Sequence, residues 1–300
     1  MLLGLTALVS AALLATAHPS DNLPLPQAYA TPAPMSAVVD PPAVAPATAP
    51  ATAPATALAT GQKAKGSSKK SKKDEEAGLP VRLKTADKKE LAARYFAPKK
   101  SKKKLPGVLI VHDKGSDSKD LTTLAEALAK KDMGVLLLEL RGHGDNATKN
   151  YDWAKADEKQ RKSMWAFASK DLEAAALFLG KRKELHHSKL IVVGHGGGCS
   201  LAATHAIEDR NTLAVVLIQP AESVYDFKLK DALIDMDGIP TLILCGKQSF
   251  KKMVKAKEAS GPKNPEKSSV VVSSLKSKPK EVLEDDRLSK YMTAWLAEHI

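Results

Sequence analysis

The stretch Lys189-Leu190-Ile191-Val192-Val193-Gly194-His195-Gly196-Gly197-Gly198 passes from an unbroken aliphatic run into four glycines within five residues. Its aliphatic part is apolar at successive rather than alternate positions, the pattern of a strand covered on both faces. Glycines so dense cannot pack a sheet interior; they mark a sharp turn where backbones approach closely. Helical spacing then takes over across residues 201–208. The unit reads strand, tight turn, helix.

The same alternation extends outward in both directions. Two short strands at 81–85 and 91–97 flank a turn at Asp87-Lys88. A buried strand is predicted at 107–112, a helix at 120–131 with Leu121, Leu124, Ala125 and Leu128 on one face, and another buried strand at 134–140. Residues 145–162 are polar and irregular, and one helix is expected over 164–179. Strands at 213–218, 240–245 and 268–275 follow, with helices at 251–259 and 283–298. Strands apolar on both faces that alternate with helices imply an α/β fold. The expectation is a mostly parallel, twisted sheet of about seven or eight strands, with helices on both faces.

The first seventy-eight residues have a different character. Residues 2–17 carry no charge and end in Ala15-Thr16-Ala17. Their length falls short of the roughly 20 residues a spanning helix needs, so a signal peptide cleaved after Ala17 is expected, with an uncleaved anchor as the alternative. Secreted or periplasmic placement follows, with no transmembrane span in the mature chain. Residues 18–60 are rich in Pro, Ala and Thr, and Lys63 to Lys73 packs six lysines into eleven residues. Neither stretch can build a core, so residues 18–78 are read as a disordered linker and residues 79–300 as one domain.

Net charge is +12, with only seven arginines and 4% aromatic residues. Forked guanidinium groups and stacking rings are the usual means of reading nucleic acid, so specific nucleic-acid binding is not expected. A lysine-rich, solvated surface is the simpler reading, with Lys63 to Lys73 a candidate contact to an anionic surface. Cys199 and Cys245 both lie in apolar runs and read as buried free thiols rather than a disulfide framework. No cofactor signature or metal-ligand spacing stands out.

Three motifs resemble the α/β-hydrolase family, in a form with little or no lid. Leu140-Arg141-Gly142-His143-Gly144-Asp145 is similar to its RGHG turn, and His112 ends a strand where the family opens its oxyanion loop. Gly194-His195-Gly196-Gly197-Gly198 stands at the nucleophile elbow, whose pattern is G-x-S-x-G. The resemblance spans residues 81–300 and implies that fold.

The resemblance also implies a Ser, acid and His triad, and this chain departs from it at each place. The nucleophile position is Gly196. Cys199 and Ser200 fall three and four residues beyond it, inside the following helix. The usual acid position, in Gly246-Lys247-Gln248-Ser249, is Ser249, leaving Glu222 as a candidate alternative acid one strand earlier. Where the family has its His, residues 275–280 contain none, and the later His299 closes a helix. Each triad member depends on the others, and loss of nucleophile or base costs on the order of 10⁶ in turnover.

The expectation is therefore a catalytically inactive, exported binding or scaffold module for an unidentified small ligand or protein. Its candidate ligand or oxyanion pocket comprises His112, Asp113, Gly196 and Gly197, with backbone N–H groups at a helix N-terminus favouring an anion or carbonyl oxygen. Two other readings stand beside it: a hydrolase of small esters or related acyl compounds with a non-standard site, and a lysine-rich tether with the domain as cargo. His143 and His195 read as residues that pack loops and buttress the elbow.

Overall fold

The computed structural model describes residues 78–99, 101–261 and 269–300, all within one unit of the chain, residues 66–300. The expected signal peptide at 1–17 and the expected linker at 18–78, except for its last residue, lie outside the described residues, Lys63 to Lys73 included.

Strands β1 (Leu79–Lys84) and β2 (Glu90–Phe96) form an antiparallel hairpin. Strands β3 (Leu105–Val111), β4 (Gly134–Leu138), β5 (Leu185–His195) and β6 (Thr212–Ile218) follow. After a two-residue hairpin, β7 (Ser223–Val224) and β8 (Phe227–Lys228), come β9 (Thr241–Gly246) and β10 (Val270–Leu275). The main sheet has eight strands in the order β1-β2-β4-β3-β5-β6-β9-β10. From β4 to β10 every pairing is parallel.

Alternate residues of the central strands enter different cores. Leu109, Val111, Val192 and Leu217 pack on one face; Val108, Ile110, Ile191, Val193 and Val216 pack on the other. All are fully buried. This double coverage explains the continuous apolar runs in the sequence.

Helix α1 (Thr122–Ala129) follows β3, and its Leu124 and Leu128 join the second core. Helix α4 (Gly198–Glu208) follows β5, and its Leu201 and Ala202 join the first. Strand β3 has β4 on one side and β5 on the other, so the connections leaving β3 and β5 go to opposite faces of the sheet. They part at its carboxyl edge and leave a crevice, the place where such sheets bind ligands.

The region 158–179 differs from expectation. It holds two helices, α2 (Glu158–Phe167) and α3 (Ser169–Gly180), joined at Ala168. Helix α2 starts inside the segment expected to be irregular because Asp157 caps it: Asp157 accepts from the Gln160 backbone and Gln160 accepts in return. Helix α5 (Leu229–Asp235) was not anticipated, its seven residues being too few for a clear period. Helices α6 (Phe250–Ser260) and α7 (Arg287–His299) complete the chain, α7 beginning a turn later than expected, after a 3-10 segment at Pro279–Glu284. No helix among the described residues is long and apolar enough to cross a membrane.

Candidate functional site

The elbow sits at the end of β5, where Gly194 pairs with Val111 on one side and Leu217 on the other. A Cβ at Gly194 would lie 2.6 Å from the Cα of Cys199, so only glycine lets α4 cross this close to the strand. At the tip, Gly196 has φ +55°, and its N–H donates to Ile218 O at 2.9 Å. The strained bend of a nucleophile elbow is intact.

The space that a side chain on Gly196 would fill belongs to Asp113, which follows the end of β3. A Cβ on Gly196 would stand 2.5 Å from each Asp113 carboxylate oxygen, far inside van der Waals contact. Asp113 Oδ1 accepts two backbone N–H bonds, from Gly197 at 2.5 Å and from Lys114 at 2.8 Å. In this fold the residue after the nucleophile and the loop after the third strand supply the oxyanion-hole donors. Here both donors of that kind converge on the protein's own carboxylate. The nest expected to be open to an external anion is filled from within.

The histidines are placed by their bonds. His112 is wholly buried: Nδ1 lies 2.8 Å from Asp113 O and Nε2 accepts from Leu140 N at 3.1 Å. It supports the loop from beneath, which corrects its expected place in the pocket wall. His143 uses Nδ1 on Arg141 O and accepts from Gly115 N at Nε2. Burial, then the neighbouring His112, pushes its pKa down to about 4. With both nitrogens of both rings engaged by backbone, neither imidazole offers a metal a lone pair. His195 does line the crevice; burial lowers its pKa, the Asp113 and Asp120 charges oppose that, and its Nδ1 has no hydrogen-bond partner.

The other triad candidates do not reach the elbow. Ser249 Oγ accepts from Gln219 Nε2 at 2.7 Å, while Gln219 Oε1 accepts from Gly246 N, so the acid position is used to tie two loops together. Glu222 is exposed and pairs with Lys252 at 3.2 Å in a separate depression. His299 stacks on Trp295 at the end of α7. Cys199 points into the core, its thiol donating to Gly194 O and Ile218 O, and burial pushes its pKa far above the ordinary thiol range. Cys245 is buried as well, its pKa pushed up to about 11, and both cysteines are free.

The RGHG turn is a structural joint. Arg141 is buried and forks onto Asp171 through Nε and Nη2, at 2.8 and 2.5 Å, and reaches Asp87 with its remaining nitrogen. Desolvation alone would lower the Arg141 pKa; the two carboxylates hold it above its usual range.

Asp113, His195, Gly196 and Gly197 thus share one crevice of about 890 Å³, completed by the loops after β6 and β10. Its wall carries Asp120, Glu284 and Asp286 against Lys114 and Lys280. An acidic crevice on a chain of net charge +12 was not foreseen, because its residues come from four separate stretches of sequence.

Comparison with known proteins places these features. Residues 102–294 match the family described as serine aminopeptidase, S33. Among solved structures, a Pyrococcus furiosus esterase is similar at TM-score 0.58 with 15% identity, covering 76% of this chain and 94% of that one. The α/β-hydrolase GrgF from Penicillium sp. gives 0.57 with 11% identity, covering 74% and 98%. DcsB, solved with a substrate analogue, gives 0.58 with 14% identity, covering 74% and 99%. No curated protein sequence matches the chain.

Proposed function

The chain belongs to the serine aminopeptidase (S33) family of α/β-hydrolases, and we propose that it is a non-catalytic member that works as a binding or scaffold module. One observation carries this reading. The place of the attacking oxygen is taken by the Asp113 carboxylate, which also holds the two N–H groups that otherwise stabilise an oxyanion.

The chemistry is doubly blocked. Without a nucleophile, a hydrolase keeps only the roughly 10³-fold that its oxyanion donors and binding provide. A substrate carbonyl reaches those donors only by displacing Asp113 from two charge-assisted hydrogen bonds, each worth about 1.5–3 kcal/mol. A developing oxyanion beside Asp113 is further disfavoured by like charge. The ligand of the crevice is therefore bound, not cleaved, and the loops after β6 and β10 supply the surface it meets.

The test is turnover of short p-nitrophenyl esters by the full chain, together with fluorophosphonate labelling. Neither should exceed the buffer rate. The Asp113 and His195 side chains share the crevice, so a second reading keeps a non-standard hydrolase built on that pair. Ester turnover abolished by Asp113→Asn or His195→Ala would establish it and remove the first.

Export belongs to the same proposal and rests on the uncharged run at 2–17 and its Ala15-Thr16-Ala17 ending. N-terminal sequencing of the protein from its natural source should begin at His18. The Lys63 to Lys73 segment, as a tether, predicts that deleting residues 61–76 abolishes retention on anionic surfaces and leaves the domain folded; unchanged retention removes that role.

A further inference from the structure

The opposite edge of the sheet holds a second cavity, of about 570 Å³, between α3, α4 and the amino-terminal ends of β3 and β5. The parallel strands bring Gly107 and Leu190 side by side here, far along the sheet from Gly196. Its volume lies within the range of small-molecule sites. Ala176, Leu179, Leu185 and Leu190 make an apolar wall, and Leu177, also in the lining, is 63% exposed.

A polar group is set into this wall. His205 is 7% exposed, and its Nε2 makes no hydrogen bond. The nearest carboxylate oxygen, Asp209 Oδ2, stands 3.5 Å away, beyond good hydrogen-bond reach. Burial lowers the His205 pKa and favours the neutral ring, whose Nε2 accepts when the proton sits on Nδ1, while Asp209, Glu208 and Glu173 work the other way. A buried ring nitrogen without a partner is costly, and such atoms usually mark where a water or ligand atom belongs.

We propose that this cavity binds a small primary amine with an apolar body, whose ammonium group bridges His205 Nε2 and Asp209 Oδ2. An ammonium has three N–H donors and can serve both acceptors at once, whereas a carboxylate has no donor for Asp209 and is repelled by its charge. The lining favours that charge: Glu173, Glu208 and Asp209 face Lys181 and Lys189. The hydrocarbon part then covers Leu177 and Leu185. This site is independent of the elbow and of whether the chain is catalytic.

The probe is 2-phenylethylamine, titrated into the isotope-labelled full chain and followed by NMR, with 3-phenylpropanoate as the anionic counterpart. The amine should shift the His205 ring and the Leu185 and Leu190 amides, leave Gly196 and Gly197 unmoved, and outbind the acid. Loss of the charge-assisted bond in Asp209→Asn should weaken it about tenfold. Leu177→Lys, at an exposed position, should weaken it too by placing a like charge on the wall. Equal response to the acid, shifts centred on Gly196, an unchanged affinity in Asp209→Asn, or no response at any soluble concentration would each overturn the proposal, leaving a bridging water as the occupant.

Discussion

Replacing Gly196 by serine restores the residue that the elbow pattern calls for, and stability rather than activity is where the change should register first. Two costs arise. At φ +55° any side chain is strained by about 1–2 kcal/mol. The new Cβ also lies 2.5 Å from both Asp113 oxygens, so the carboxylate must leave and forfeit its bonds to Gly197 and Lys114. Asp113 is only half-buried and regains water, so that loss is about 2 kcal/mol rather than the full value of two charged hydrogen bonds. Gly196→Ser should therefore destabilise by about 3–4 kcal/mol. Asp113→Ala gives up the same bonds without the clash and should cost about 2 kcal/mol. In the Asp113→Ala background the serine adds only its backbone strain. A double-mutant cycle from urea unfolding should then give a coupling of about 2 kcal/mol, the double variant being less damaged than the sum. Additivity within about 0.5 kcal/mol would mean that Asp113 does not occupy the nucleophile's space, and the non-catalytic reading would lose its support.

Other expectations follow from the same geometry. Asp171→Asn leaves the Arg141 guanidinium without its closest partner in a buried site and should cost about 3–5 kcal/mol by chemical denaturation. His143 has a folded pKa of about 4 against 6.5 unfolded, so the unfolded chain binds the extra proton between those values. Its contribution is therefore present above pH 6.5 and falls away towards pH 4, by about 2–3 kcal/mol, and His143→Gln should flatten that slope in unfolding curves. Cys199 and Cys245 should resist thiol reagents in the native chain and both react once it is unfolded; native labelling of Cys199 at neutral pH would contradict its buried thiol.

Sequence alone determined the alternation of strands and helices, because runs such as residues 189–194 carry their burial pattern in consecutive residues. It also showed that Gly196 has no attacking side chain and that residues 275–280 contain no histidine, since a missing atom is visible in one dimension. The start of α2 at Glu158 was legible in principle through the Asp157 and Gln160 cap, but the polar residues that follow it carry no apolar period. Tertiary structure alone decided what fills the vacancy: Gly197 N and Asp113 Oδ1 are 84 positions apart in the chain, and no local pattern reports that a loop from β3 turns its carboxylate onto the elbow. The same holds for His112, whose burial beneath the loop depends on the register of β3 against β4, and for His205, whose unpaired nitrogen exists only because α3 and α4 close over the sheet's far edge. Local chemistry is written in neighbours along the chain; occupancy of a site is set by neighbours in space.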